Sequence, residues 1–282
     1  METRPKSLSV AVVGHVEWVS FLELDRVPRA GEIVHTRLGF EEPAGGGGVA
    51  AVELARIFGG ATLFTVLGDD DTGHRCADLL AQKGVDVRAR WTRQPQRRAV
   101  TMLDAQGERT ILVVGGGAAS GQDAPAVPEG ADLTAVVQFD AVYFCKGDAS
   151  AARAARQARV MVATARVLPV LQAAGVELDA LVHSVRDAGE RYTPGELSVV
   201  PRLVAATEGS AGGAFDTADG RVGRWEAAPL PGRLRDTYGA GDCFAAGLTA
   251  ALAQGFDAQL ALEFAAARGA TALCRRGAHG GS

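Results

Sequence analysis

Short apolar runs alternate along the chain with longer Ala-, Leu- and Arg-rich segments of helical period. The first run spans Val10 to Val13, and similar runs cover residues 61–67, 141–145, 160–163 and 203–206. Uninterrupted apolar runs of this length are typical of parallel strands that are buried on both faces. Because they alternate with helical segments, the pattern predicts an α/β fold with a mostly parallel sheet and helices packed on it.

Glycines mark the ends of the predicted helices. One helix follows a run of glycines and includes Glu53 to Phe58, a second spans Gly73 to Lys83, and a third spans Cys243 to Ala253. Each is followed closely by a glycine, the residue that most readily takes the left-handed conformation at a helix C-terminus. The third helix begins directly after a glycine-containing loop at residues 236–242.

Two segments have the half-exposed alternation of strands that leave a core sheet. Residues 16–40 mix apolar residues with charged residues and prolines. Residues 98–114 contain two apolar runs on either side of Gly107, which is typical of a hairpin. We predict that both segments form a small β-sheet lid within a single domain that spans residues 1–282.

Composition and charge limit the classes of function. At 282 residues the chain is long enough for one large domain with its own core. Its net charge of −4, with acidic and basic residues interspersed, offers no basic surface for nucleic acid. The apolar run near the N-terminus is too short for a signal peptide or a membrane span, and the four cysteines form no C-x-x-C pair. We therefore expect a cytoplasmic protein that binds neither nucleic acid nor a membrane.

The segment 236–242 opens the third predicted helix. The first turn of a helix presents unpaired N–H groups and the positive end of the helix dipole, and glycine lets an anion approach the backbone closely. The amides of Gly239, Ala240 and Gly241 would therefore form an anion hole for a transferred phosphoryl group. Asp242 would take the proton of the attacking hydroxyl. A helix start that is simply capped by aspartate is the alternative that these residues alone leave open.

A longer match favours the functional alternative. Residues 236–247 fit the pattern D-T-x-G-A-G-D-x-F-x-x-G, which resembles the signature of the ribokinase-like (PfkB) carbohydrate kinases. Residues 28–32, 68–73 and 107–111 follow the family's order. The resemblance implies a three-layer α/β/α core with a mostly parallel sheet and a small β-sheet lid. It also implies ATP-dependent phosphorylation of a hydroxyl group with Asp242 as general base, a requirement for ATP and Mg²⁺, and a homodimer formed through the lid.

The same resemblance suggests where the nucleotide and Mg²⁺ bind. Thr207, Gly209 and Gly212 match the family's T-x-G-x-x-G nucleotide loop, whose small residues leave room for phosphates. Ser184 and Asp187 stand where the family has an N-x-x-E motif that helps to hold Mg²⁺ through water. Asp187 keeps a carboxylate for a hard cation, although its side chain is one methylene shorter.

A second cation is also implied. Asp236, Tyr238, Ala272, Arg275 and Gly277 occupy the place where some relatives bind a monovalent cation beside the anion hole. The resemblance therefore makes Asp236 a candidate metal residue and K⁺ a candidate activator.

The acceptor end departs from the family's pattern. Sugar kinases of this family usually carry an aspartate just after the first strand and an asparagine after the first glycine pair, where this chain has Val19 and Val49. Such losses of polar groups are expected to change the molecule that is bound. An arginine at the end of a strand could grip a carboxylate or a phosphate through two hydrogen bonds. The residues that we expect to contact the substrate are Glu17, Gly45, Gly46, Gly47 and Arg166.

Three functions remain open from the sequence. The first is a kinase that phosphorylates a sugar or a sugar-like molecule. The second is a nucleoside kinase or a kinase of an inositol-like polyol, which the apolar Val19 and Val49 would suit. The third is a catalytically weak ligand-binding protein that keeps the fold, against which the intact segment 236–242 argues.

Overall fold

The computed structural model describes residues 8–36, 39–114, 136 and 138–280. These residues form thirteen strands and six α-helices in two sheets. The strands are β1 (Val10–Val13), β2 (Glu17–Glu23), β3 (Gly39–Ala44), β4 (Ala61–Gly68), β5 (Val85–Thr92), β6 (Arg98–Leu103), β7 (Arg109–Val114), β8 (Ala141–Phe144), β9 (Val160–Thr164), β10 (Ala180–Ser184), β11 (Leu203–Thr207), β12 (Gly213–Thr217) and β13 (Val222–Trp225). The helices are α1 (Gly45–Phe58), α2 (Asp71–Gln82), α3 (Ala149–Ala155), α4 (Leu168–Ala174), α5 (Ala240–Ala253) and α6 (Ala258–Leu273).

The large sheet has nine strands in the order β13-β12-β11-β10-β9-β8-β1-β4-β5. Its strands from β11 to β5 are parallel, and β12 and β13 add an antiparallel edge. The predicted α/β fold with a mostly parallel sheet is confirmed. Because parallel strands end at the same edge of a sheet, the loops that follow β1, β8, β9, β10 and β11 lie side by side.

Alternate residues of the first strand enter two different cores. Val10 and Val12 pack with helices α1, α2, α5 and α6 on one face of the sheet, and Ala11 and Val13 pack with α3 and α4 on the other. Burial on both faces is the reason that this strand is apolar at every position. The helices therefore form two layers with the sheet between them.

The small sheet has four strands in the order β3-β2-β6-β7. Strand β2 pairs antiparallel with β3 and parallel with β6, and β6 and β7 form a hairpin with Gly107 at a positive φ of 80° in its turn. Both segments that were predicted to form a lid contribute strands to this sheet. Strand β2 begins at Glu17, four residues after β1 ends, so the small sheet starts at the carboxyl edge of the large one.

Two elements differ from the sequence-based expectation. Helix α1 begins at Gly45, so the glycine run that was expected to lead into this helix forms its first turn. Glycine disfavours helices, but a Cβ atom on Gly47 would lie 2.7 Å from the carbonyl oxygen of His15, so this helix start has room only for glycine. The second difference is the antiparallel pair β12 and β13, which was not predicted because its half-exposed residues form no apolar run.

A buried carboxylate joins helix α1 to the C-terminal part of the chain. Glu53 is fully buried and accepts hydrogen bonds from Arg268 of α6 and from Arg275, whose Nη1 lies 2.8 Å from Oε2. Burial alone would raise the pKa of Glu53, but the hydrogen bonds and charges of the two arginines outweigh it and lower the pKa. The carboxylate is therefore ionised and paired across more than 200 residues of sequence.

We expect Glu53→Gln to lower the free energy of unfolding by about 3 kcal/mol at neutral pH, because it leaves two partly buried arginines without their counter-charge. Urea denaturation would measure the change. The pKa of Glu53 is lower in the folded protein than in the unfolded chain. Its contribution to the free energy of unfolding is therefore complete above the pKa that Glu53 has in the unfolded chain, and it is lost as the pH falls through the pKa that Glu53 has in the folded protein. The difference between variant and wild type should therefore shrink in acid. Glu263→Gln, on the exposed face of α6, is the matched control and should change stability by less than about 0.5 kcal/mol.

Candidate active site

Helix α5 begins at the carboxyl edge of the large sheet. Gly239 precedes it in the left-handed conformation, with φ 72°, and no side chain caps the helix. The first helical hydrogen bond runs from the Cys243 N–H to the Gly239 oxygen, so the amides before Cys243 have no acceptor within the helix. The first turn therefore directs Ala240 and Gly241 N–H groups and the carboxylate of Asp242 toward the sheet edge.

The carboxylate of Asp242 lies directly over the start of helix α1. A Cβ atom on Gly46 would be 2.9 Å from Oδ1 of Asp242, so no larger residue fits at this position without displacing the carboxylate. Loss of contact with water is the main cause that raises the pKa of Asp242 to about 7, and the charge of Glu190 adds to it. Arg109 and Arg166 oppose this rise. Asp242 is therefore poised to gain or lose a proton near neutral pH.

The two glycine loops are held together by a buried tyrosine. The Gly45 N–H donates a hydrogen bond to the hydroxyl oxygen of Tyr238, 3.2 Å away, and the Gly47 N–H donates to the His15 oxygen. Burial raises the pKa of Tyr238 well above its usual range, so the hydroxyl stays protonated. This arrangement sets Gly46 between two bonded amides and against the carboxylate of Asp242.

Glu17 does not lie free in the cleft. Its Oε1 accepts a hydrogen bond of 2.7 Å from Nε of Arg97, which precedes strand β6 of the small sheet. Burial raises the pKa of Glu17, and the charge of Arg97 partly opposes this rise. The sequence analysis missed Arg97, because 80 residues separate it from Glu17 and no motif marks it.

Beside Glu17, His15 is neutral. Burial and the charges of Arg97, Lys146 and Arg166 lower the pKa of His15 to about 3. Its Nδ1 is buried and has no hydrogen-bond partner in the described part of the chain. The ring therefore contributes no charge to the acceptor end of the cleft.

Apolar side chains fill the two positions at which sugar kinases of this family usually carry an aspartate and an asparagine. Val19 and Val49 are fully buried in one cluster with Phe21 and Tyr238. A Cβ atom on Gly239 would lie 2.9 Å from Cγ1 of Val49, so this valine supports the start of α5. Neither valine offers a polar group to a ligand.

Arg166 follows strand β9 and is held by two carboxylates. Its Nη2 lies 2.7 Å from Asp187 and its Nε lies 2.9 Å from Glu190. The hydrogen bond from the Gly189 N–H, and then that of Arg166, lower the pKa of Asp187. Glu190, which the sequence analysis also missed, lies three residues after Asp187 and so belongs to the same loop.

The residues predicted to bind the nucleotide lie on adjacent strands. Ser184 of β10 pairs with Thr207 of β11, and the turn after Thr207 places Gly209 and Gly212 at positive φ angles of 66° and 79°. The Ser184 hydroxyl oxygen accepts hydrogen bonds from the amides of residues 186 and 187, and the Thr207 hydroxyl donates to the carbonyl of residue 183. The Ser184 and Thr207 hydroxyls thus stabilise the backbone at the ends of β10 and β11.

Asp236 lies outside the open part of the cleft. It is buried, and its two oxygens accept hydrogen bonds from the N–H groups of Tyr238, at 2.5 Å, and Gly277, at 2.7 Å. Burial raises the pKa of Asp236, and those two hydrogen bonds oppose the rise. No group of three or more His, Cys, Asp and Glu side chains that could hold a metal ion occurs among the described residues.

Comparison with known proteins agrees with the geometry. The profile of the pfkB family of carbohydrate kinases matches residues 7–185 and 177–282. An ATP-dependent ribose-1-phosphate kinase from Halopiger xanaduensis is 30% identical to this chain, with 95% of this chain and 93% of the relative covered. A ribokinase from Bacillus subtilis is 28% identical, with 97% and 95% covered.

Solved structures show the same fold. The ribokinase of Thermotoga maritima superposes with a TM-score of 0.76 at 19% identity, covering 96% of this chain and 95% of that one. The ribokinase of Arabidopsis thaliana, solved with ribose and ATP, gives a TM-score of 0.72 at 23% identity, covering 96% and 94%. Within the described residues, no helix combines the length and the apolar character that crossing a membrane requires. The family resemblance seen in the sequence is confirmed: this chain belongs to the pfkB family of carbohydrate kinases.

Proposed function

We propose that this protein transfers the γ-phosphoryl group of ATP to a hydroxyl of a ribose-type sugar, with Asp242 as general base. The observation that carries the proposal is the position of the Asp242 carboxylate, which lies in the first turn of α5 and over Gly46 at the start of α1. A hydroxyl placed there can give its proton to Asp242 while the amides of Gly239, Ala240 and Gly241 stabilise the charge on the transferred group.

The choice of acceptor rests on the relatives. Those that cover nearly the whole chain are named as a ribose-1-phosphate kinase and a ribokinase. Glu17 supports a polyhydroxylated acceptor, because Arg97 engages only one of its carboxylate oxygens by a described hydrogen bond. Gly45, Gly46 and Gly47 remain proposed substrate contacts, because Gly46 lies against the Asp242 carboxylate. No specific observation favours a nucleoside or an inositol-like polyol.

ATP would lie along the neighbouring strand ends. The loop that begins at Thr207, with Gly209 and Gly212, and the turn at Ser184 expose backbone groups that suit phosphates. Arg166 follows β9, which lies between β10 and β8, so it would contact the γ-phosphate from the strand next to the nucleotide side.

The carboxylates near the nucleotide side fit Mg²⁺ only in part. Mg²⁺ usually keeps several waters and binds one or two carboxylates together with substrate phosphates. Asp187 and Glu190 would supply such carboxylates, although Arg166 already holds both. When bound, Mg²⁺ would neutralise negative charge on the phosphates. Both oxygens of Asp236 already accept backbone hydrogen bonds. We therefore propose that Asp236 lies beside a K⁺ site and shapes its backbone.

The small sheet supports a proposed homodimer. Strand β7 is an edge strand, and its residues Ile111 to Val114 are between 42% and 52% exposed although all four are large and apolar. Exposed apolar residues on an unpaired strand edge mark a surface for association. We also propose a cytoplasmic location, which the four free thiols suit.

We expect Asp242→Asn to lower kcat by at least a factor of about 100, because the amide cannot take the proton of the acceptor. Affinity for ATP, measured by calorimetry, should stay within about threefold, since the nucleotide loop is on other strands. Asp78→Asn, at an exposed position on α2, is the matched control and should keep the wild-type kcat. A turnover of the Asp242 variant close to that of wild type would exclude this residue as the base.

The pH dependence follows from the raised pKa of Asp242. The carboxylate must be ionised to act as a base, so kcat should fall about tenfold per pH unit below about pH 7. The fold disfavours the charged form, so stability should fall as the pH rises from the pKa of the unfolded chain to about 7. Asp242→Asn should therefore raise the melting temperature at pH 8 and have less effect at pH 5. An equal effect at both pH values would contradict the raised pKa.

For the dimer, we expect wild type to elute as a dimer in light-scattering chromatography and Leu112→Lys to elute as a monomer, because the lysine places a charge on the apolar strand edge. Val222→Lys is the matched control, on an exposed residue of strand β13 at the edge of the large sheet. A monomeric wild-type protein at tens of micromolar would count against the lid interface.

A further inference from the structure

The turn between strands β6 and β7 rests on the segment that leads into helix α5. Gly107 lies in this turn with a φ of 80°, and a Cβ atom on it would be 3.4 Å from the carbonyl oxygen of Arg235. The N–H of Thr237 donates a hydrogen bond of 3.2 Å to the Gly107 oxygen. The small sheet therefore contacts the chain two residues before Gly239, which precedes α5 in the left-handed conformation.

Thr237 is bonded to this turn through its side chain as well as its backbone. Its hydroxyl lies 3.0 Å from Oε1 of Glu108 and 3.2 Å from the Gly107 oxygen, so two acceptors in the turn face it. Nη1 of Arg109 donates a hydrogen bond of 2.8 Å to the Thr237 carbonyl oxygen. The N–H, the hydroxyl and the carbonyl of this one residue are thus all bonded to residues 107–109.

The turn that holds Thr237 has its own internal hydrogen bonds. Oδ1 of Asp104 accepts hydrogen bonds of 2.9 Å from the N–H groups of Gln106 and Glu108. The Gly107 N–H donates to the Asp104 carbonyl, and the Asp104 N–H donates to the Glu108 carbonyl. An aspartate that bonds the amides of the following residues holds a turn in one conformation. A displacement of strand β6 would therefore move the acceptors of Thr237 as a unit.

A second strand of the small sheet is connected to the residue before Thr237. Oε1 of Glu42, in β3, accepts a hydrogen bond of 2.6 Å from the Ala278 N–H. The neighbouring Gly277 N–H donates a hydrogen bond of 2.7 Å to the carboxylate of Asp236. Asp236 and Thr237 are therefore connected to two different strands of the small sheet.

The small sheet also carries a proposed acceptor contact. Glu17 is the first residue of β2, and β2 pairs with β6. Strand β6 ends at Leu103, directly before the turn that holds Thr237. An acceptor that contacts Glu17 would therefore act on the same sheet that fixes the segment before the amides of residues 239–241.

We propose that Thr237 is a positioning residue, through which the turn 107–109 aligns the amides of residues 239–241 when the acceptor is bound. This inference rests on the proposed function. Without an acceptor the amides are less well aligned, so bound ATP gives up its γ-phosphoryl group to water, forming ADP and inorganic phosphate, only slowly. Alignment matters because each donor must meet the transferred group at hydrogen-bond distance, and a displacement of about 1 Å can cost about 100-fold in rate.

The test compares phosphorylation of ribose with the hydrolysis of ATP in the absence of an acceptor, both with Mg²⁺. Thr237→Val removes the hydroxyl and keeps the shape and the backbone bonds of the residue. We expect kcat with ribose to fall at least about tenfold, while both KM values change less than about threefold and acceptor-free hydrolysis less than about twofold.

Conservative and control variants sharpen this comparison. Thr237→Ser keeps the hydroxyl and should keep most of the wild-type kcat. Thr271→Val removes a threonine hydroxyl that donates to a carbonyl of α6, and it should leave all of these rates unchanged. Glu108→Ala should lower kcat less than Thr237→Val, because the Gly107 oxygen remains as an acceptor. Adding Glu108→Ala to Thr237→Val should cause little further loss, since both substitutions break the same contact.

Two results would overturn the inference while leaving Asp242 as the base. One is a wild-type kcat in Thr237→Val. The other is an equal fall of ribose phosphorylation and acceptor-free hydrolysis, which a general loosening of the site would produce. Absence of turnover by the wild-type protein with ribose, other sugars, nucleosides and inositol would instead overturn the proposed function. Hydrogen–deuterium exchange of residues 236–247 would then decide whether Thr237 holds this segment, since unchanged exchange in Thr237→Val would contradict it.

Discussion

Two α-helices begin close together at the carboxyl edge of the parallel sheet, and in neither does the side chain of the N-cap residue accept a hydrogen bond. The contact depends on glycine, because Cβ atoms at Gly46 and Gly47 would collide with Asp242 and with the backbone of His15. Unpaired amides at a helix start favour an anion. The close approach of the two glycine loops, which Tyr238 holds together, therefore fixes the position of the Asp242 carboxylate, and in the proposed reaction it would also supply the donors for a phosphoryl group.

The charges around Asp242 are arranged so that they nearly cancel. Arg97 is paired with Glu17, and Arg166 is paired with Asp187 and Glu190. Paired charges exert a weaker field at a distance than isolated ones, so loss of water dominates the pKa of Asp242. An isolated arginine at the same place would keep the carboxylate ionised in acid but would make it a weaker base. The ion pairs thus allow Arg97 and Arg166 to lie in the cleft, where the phosphates of ATP would bind, without lowering the basicity of Asp242.

The sequence predicts those features of the fold and the site that depend on one contiguous segment. The segment 236–247 is contiguous, so its residues alone identify the family and locate the start of α5. The apolar runs likewise predict the parallel strands. Local sequence patterns do not predict contacts between distant segments. Glu17 and Arg97, for example, meet only because β2 pairs with β6. The glycine run at the start of α1 was expected to precede the helix for a related reason: glycines disfavour a helix in isolation, and the packing that requires them comes from the loop after β1.

The chemistry and the choice of acceptor depend on different kinds of atoms. In the proposed reaction, backbone amides and one carboxylate would perform the transfer, and backbone groups keep their character whatever residue carries them. The proposed acceptor would meet side chains at the end of β1 and at the start of β2, where Glu17 lies. Near these places Val19 and Val49 are packed in the core, and Arg97 holds Glu17. A change of acceptor therefore requires only substitutions at strand ends and leaves the geometry of the two helix starts intact. This separation explains how the segment 236–242 can match its family closely while the acceptor end departs from it.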